Sequence, residues 1–285
     1  MNDRAVLAAM SPEPAGPARE DRPGDRLRAF GLAQLRSAVR LLARRGQARH
    51  EGVHEARKCL RRVRALLALA GPRLGAQAVS LDAELRRLCR GLSPLRDASA
   101  LLEALQRLER VGAITANEAA LAAAAASSRR EDRLSAALAR DPELAARRGR
   151  LQRAAEKLAA LDWSAVRRGD LRRGLARSER RLRKAAGRVQ RHRRNDMAWH
   201  RLRRRLRRWR QQNTVLGDIV PALVRHSDTR EALAVRLGES QDDALLLARC
   251  GGGDSPFTAD LRGPLRRVAR ARLEALRAEP VSMDT

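Results

Sequence analysis

At 285 residues, with 44% hydrophobic and 33% charged side chains, the chain is long enough to bury a core and too apolar to be disordered. Aromatics at 2%, no tyrosine and an abundance of Leu, Ala, Arg and Glu argue against a sheet and for an all-α fold. A formal net charge of +28 costs stability through self-repulsion, and a polyanionic partner is its natural counterpart.

Residues 1–24 carry Pro12, Pro14, Pro17 and Pro23 among charges and read as a loose leader, unlike a signal peptide. Helical periodicity starts near Asp25 and runs to about Gly46. A second helix runs from near Val53 to Gly71-Pro72, a third covers roughly 77–90, and a fourth opens at Ser93-Pro94 and reaches about Arg110. The Ala-rich stretch 115–162 reads as one or two solvated helices, with a break at Asp141-Pro142, where Asp suits a cap and Pro the first helical turn.

The pattern resumes at Ser164 with a long basic helix to about Arg191. After a link at Asn195-Asp196, a helix covers 197 to about 216. Two shorter helices are expected on either side of Gly238, near 228–237 and up to Ala248. Gly251-Gly252-Gly253 and Pro256 form an expected flexible loop, and a last helix covers about 259–278, followed by a tail at 279–285.

An internal repeat organises the chain. Residues 54–64, from His54 through Arg57, Lys58, Arg61 and Arg62 to Arg64, match residues 200–210, from His200 through Arg203, Arg204, Arg207 and Arg208 to Arg210. The shared pattern is H-x-x-R-[KR]-x-L-R-R-x-R, and each copy is followed by a second element, 92–97 with Arg96 and Asp97, and 237–242 with Asp242. The copies divide the helical region 25–278 at about residue 150. Two linked motifs in one order at nearly one offset are rare in random arginine-rich sequence.

On a helix advancing about 100° per residue, with His54 at zero, Arg57, Arg61 and Arg64 fall near 300°, 340° and 280°, and Lys58 and Arg62 near 40° and 80°. Ala56, Cys59, Leu60, Val63 and Leu67 cluster on the other side, and Leu202, Leu206 and Trp209 do so in the second copy. Each helix thus offers one face to a core and one face of cations with a histidine at its centre. An isolated charge run is usually a solvated face. Duplication of the whole pattern, histidine included, favours a shared anionic ligand gripped by arginine forks. The like charges around His54 and His200 disfavour their cationic forms; a bound polyanion would reverse this, so that binding takes up protons. Asp97 and Asp242 are expected at helix starts, either capping the helix or orienting an arginine.

His50, His54, His192, His200 and His226 lack ligand spacing, so no metal site is expected, and no cofactor either. Cys59, Cys89 and Cys250 are too scattered for a ligand motif and fit buried thiols in a reducing cytoplasm. No stretch is apolar enough to span a bilayer. Non-specific nucleic-acid binding is the weaker alternative: stacking residues are nearly absent, and neither basic face carries Asn or Gln to read bases. A granule-coating protein whose basic face meets an acidic protein or anionic lipid surface is the other.

The doubled motif at 54–64 and 200–210, with L-x-x-x-R-D at 92–97 and its variant at 237–242, resembles the CHAD family, the conserved-histidine α-helical domain. The resemblance spans roughly 25–278. It implies two pseudo-symmetric four-helix bundles around a basic central cavity that binds inorganic polyphosphate, and recruitment of the protein to polyphosphate granules is the expectation that goes with it. It assigns the contact to His54, Arg57, Lys58, Arg61, Arg62, Arg64, His200, Arg203, Arg204, Arg207, Arg208 and Arg210, supported by Arg96, Asp97 and Asp242. Some relatives carry a triphosphate-tunnel enzyme domain, for which residues 1–24 leave no room, so no enzymatic role is expected. Gln241 replaces the first copy's Arg96, Gln211 to Asn213 replace the apolar Ala65 to Leu67, and Arg205 intrudes near the apolar side.

Overall fold

A computed structural model describes residues 22–251 and 255–283. Most of the leader and the glycines of the expected loop at 252 and 253 lie outside these residues. The described chain is all-α, with no strand among the described residues. The helices of the first half are α1 (Pro23–Leu42), α2 (Ala48–Ala70), α3 (Gly75–Gly91), α4 (Ser93–Arg110), α5 (Ala116–Arg140) and α6 (Ala145–Ala159). Those of the second half are α7 (Arg168–Arg191), α8 (Asp196–Ile219), α9 (Asp228–Arg249) and α10 (Ala259–Ala278).

Local chemistry explains the boundaries. Pro23 occupies the first turn of α1, where its missing N–H costs nothing. Thr115 and Glu118 form a reciprocal capping box at the start of α5. Asp141 accepts from the backbone N–H of Ala146 at 2.8 Å and binds Arg147 at 2.7 Å, so the break between α5 and α6 is held by that carboxylate. One expectation fails: α9 runs through Gly238 without interruption. Glycine in a helix interior costs about 1 kcal/mol, and burial of Leu233 and Leu237 in one apolar cluster and of Leu246 in the other outweighs it. Asp242 therefore sits deep inside a helix and has no role at a helix start.

The core does not divide at the repeat boundary. One apolar cluster gathers α1, α2, α3, α6, α7 and α8 around Leu35, Leu60, Leu66, Leu158, Leu182 and Trp209. A second gathers α4, α5, α9 and α10 around Leu105, Leu108, Ala122, Phe257 and Leu265. Each cluster mixes both copies, unlike the expected one bundle per copy. Equivalent helices pack together across it: α2 against α8, and α4 against α9. The long aliphatic stripes of the two motif helices bury against each other's neighbours, which turns the polar faces of both toward one space. Close backbone approach helps. A Cβ at Gly174 would lie 2.2 Å from the Leu69 carbonyl oxygen, so only glycine lets α7 settle onto the end of α2.

Candidate functional site

The space enclosed by α2, α3, α4, α8 and α9 is a cavity of about 710 Å³. From α2 it receives Arg57, Arg61 and Arg64, and from α8 it receives His200, Arg203, Arg204, Arg207 and Arg208. Arg96 and Asp97 enter from α4. Sequence reasoning missed Arg86 and Arg90 of α3, which lack any repeat signal, and Arg205, assigned to the apolar side. All three line the cavity. Eleven arginines thus face two acids, Asp82 and Asp97.

Four of the expected contact residues are not among the lining. His54 is half-buried with its Nε2 3.9 Å from Glu55, and Lys58 pairs with the same carboxylate at 2.7 Å. Arg62 donates to Gln34 of α1 at 3.3 Å. Arg210 pairs with Glu231 of α9 at 2.6 Å. The pattern is angular. On α2 the lining arginines are those near 280–340°, while His54, Lys58 and Arg62 at about 0–80° turn away from the cavity. On α8 the lining arc runs from Arg203 near 300° through His200 to Arg205 near 140°, and Arg210 near 280° falls outside it. The two copies present different arcs of one motif. Gln211 and Gln241 also line the cavity, so glutamine is present at the site after all.

Burial and mutual repulsion dominate the electrostatics. Burial first, then Arg57, lowers the Arg61 pKa to about 10. Arg207 is held well below the usual guanidinium range by burial and then by Arg61, Arg203 and Arg57. Arg57 and Arg203 are lowered too, burial leading in both. Arg57 donates to Ser93 at 2.9 Å and to the Cys89 carbonyl, and Arg64 holds Asp82 through two bonds of 2.8 and 3.2 Å. Arg61, Arg203, Arg204, Arg207 and Arg208 make no hydrogen bond or salt bridge with any described residue, and the buried Arg61 Nε has no acceptor. Such an array can hold a chain of anionic oxygens. His200 Nδ1 lies 3.2 Å from Gln241 Oε1, and its pKa is lowered by burial and by Arg204, Arg203 and Arg207.

The CHAD domain family model matches residues 29–251, most of the chain. The chain belongs to the CHAD domain family. Two solved structures share the fold of this CHAD chain. One is PptA from Streptomyces chartreusis, with 21% identity and a TM-score of 0.65 over 90% of this chain and 96% of that one. The other is the CHAD domain from the plant Ricinus communis, with 20% identity and a TM-score of 0.61 over 95% and 96%. No curated protein matches the chain significantly.

In this CHAD domain one of the two supporting acids acts across the copies. Asp242 of the second copy accepts from Arg96 of the first at 3.4 Å and lies 3.8 Å from Arg107. Its buried neighbour Asp243, which carried no repeat signal, binds Arg107 at 2.8 Å and Arg272 of α10 at 3.0 Å. Asp97 lies 3.8 Å from Arg96. These pairs tie α4, α9 and α10 together. Among the described residues no three His, Cys, Asp or Glu side chains converge as a metal ion would need. No helix among the described residues is long and apolar enough to cross a membrane.

Proposed function

We propose that this protein binds inorganic polyphosphate in the cavity between α2 and α8, without catalysis and within the cytoplasm, where it attaches to polyphosphate granules. The observation that carries this reading is the set of five cavity arginines, drawn from both copies, that make no hydrogen bond or salt bridge with a described residue. Arg61, Arg203, Arg207 and Arg208 are half-buried, and drawing cations out of water without an anion is costly unless something neutralises them. A flexible chain with one negative charge per unit supplies oxygens at every depth of the cavity, and each charge-assisted hydrogen bond contributes about 1.5–3 kcal/mol. The family is associated with polyphosphate binding in general.

Nucleic acid fits less well. No Phe, Tyr or Trp side chain lines the cavity, so bases lack the large aromatic platforms on which single strands usually stack. Competition binding tests the proposal. Long-chain polyphosphate should bind, and duplex DNA at equal phosphate concentration should fail to displace it. Arg61→Ala combined with Arg207→Ala should weaken binding by several kcal/mol with helicity intact. Displacement by DNA, or unchanged affinity of the double variant, refutes the assignment.

A further inference from the structure

The long basic helix α7 is not used by the cavity, yet its charges are ordered. Arg181, Lys184, Arg188 and Arg191 follow one another at spacings of three and four residues, which sets them on one stripe about 15 Å long. Arg201 and Arg205 of α8 face this stripe, and between the two helices lies a groove of about 280 Å³. No acid lines it. None of these six cations makes a hydrogen bond or salt bridge with a described residue. Burial and then Arg181, Arg204 and Arg201 lower the Arg205 pKa, as expected for a guanidinium with cations on both sides. Arg205 also lines the central cavity, so the two spaces share one wall.

From this geometry we infer that the α7–α8 groove is a second polyphosphate subsite, which carries the chain onward from the central cavity over Arg205. The inference rests on the polyphosphate reading of the cavity. A bare surface stripe would be left to solvent and counterions. Here the cations converge from two helices on a concave channel, and the bridging arginine belongs to both spaces. A chain threading from one to the other releases counterions along the whole path. The cavity alone sets the affinity for short chains, and the groove adds affinity only for chains long enough to leave it.

Lys184 makes the groove readable, because the chain has only three lysines. Lys157 is exposed, pairs with Glu84 at 2.7 Å and lies in neither space, so it serves as the internal reference. Amine acetylation of the full chain, read by mass spectrometry, should show Lys184 protected by long-chain polyphosphate. Tripolyphosphate at a saturating concentration should leave it labelled. The exposed pair Arg181→Ala and Arg188→Ala should lower long-chain affinity roughly tenfold and make it less salt-dependent, with tripolyphosphate affinity held within about twofold. Circular dichroism checks that the variant is folded. If long chains bind the wild type and the variant equally and Lys184 stays labelled, the groove is no subsite and the cavity reading survives. If the wild type binds neither polymer, both readings fall together. Protection of Lys184 by RNA or DNA but not by polyphosphate assigns the groove to nucleic acid and overturns the inference.

Discussion

Arg207 of α8 is displaced from the ordinary guanidinium range by burial and then, among charges, foremost by Arg61 of α2, its equivalent in the other copy of the repeat. The duplication has brought two matching cations into one cavity, and each makes the other's charge harder to hold. The fold tolerates this because leucines on the opposite sides of the same helices are fully buried, Leu60 and Leu66 on α2 and Leu202 on α8.

This relationship sets the first expectation. A cation whose folded-state pKa lies below its unfolded value weakens the fold at every pH below the folded pKa, and the loss is recovered only as pH rises through about 10 for Arg61. Arg61→Met keeps the length of the side chain and removes the charge. The ligand-free variant should be more stable by about 1–3 kcal/mol near pH 7, raising Tm by about 2–4 °C per kcal/mol. Its polyphosphate affinity should fall at the same time. Thermal melting with and without ligand measures both, and a lower Tm for the free variant contradicts the repulsion argument.

Binding should be pH-dependent through His200. Burial and the neighbouring Arg204, Arg203 and Arg207 lower its pKa in the free protein, with the Gln241 contact opposing them. A polyanion beside it raises that value, so binding takes up protons in the interval between the two. Affinity should therefore rise as pH falls from 8 to 6. His200→Gln should flatten the profile, and His54→Gln should leave it in place, since His54 is not part of the cavity lining. Calorimetry in buffers of different ionisation enthalpy counts the protons directly.

Asp242 should matter to stability more than to the ligand. Arg96 and Arg107, both largely buried, lose an acceptor in Asp242→Ala, and the fold should weaken by about 1–3 kcal/mol. Arg96 is then freed toward the cavity, so tripolyphosphate affinity should hold or increase. Chemical denaturation and a binding isotherm separate the two effects. A loss of affinity at a temperature where the variant stays folded would mean that Asp242 positions Arg96 for the anion.

Gly174→Ala tests the seat of α7 on α2. Alanine in place of an interior helical glycine ordinarily stabilises a helix by about 1 kcal/mol. Here the added carbon meets the Leu69 carbonyl at 2.2 Å, and backbone must move to admit it. Overpacking of this kind costs typically 1–3 kcal/mol, so the net change should be destabilising. An increase in Tm would show that the two helices do not approach as closely as the structure has them.

Most of the helices were legible before any coordinates, because the apolar side chains recur with the helical period and Pro, Gly and Asp punctuate their ends. The burial of Ala56, Cys59, Leu60, Val63 and Leu67 on α2 follows the same wheel. Gly238 misled, since a glycine marks a boundary only where packing does not hold the helix together on both sides. The scattered Cys59, Cys89 and Cys250 are indeed free and buried.

The sequence by itself determined that the protein is helical, that its excess charge is concentrated in a repeated histidine–arginine motif, and that the chain belongs with the CHAD domains. These properties are written in local spacing. Only the tertiary structure decided which cations share a space. A helical wheel fixes the angles between Arg57, Lys58 and Arg61, but the arc that faces inward depends on how α1, α7 and α9 pack around α2 and α8. That packing turns Lys58 toward Glu55 and Arg210 toward Glu231, brings Arg205 to the wall, and joins Arg96 to Asp242 across two copies that the sequence keeps far apart. Angles along one helix are a local property; orientation between helices is set by the apolar contacts of the whole core.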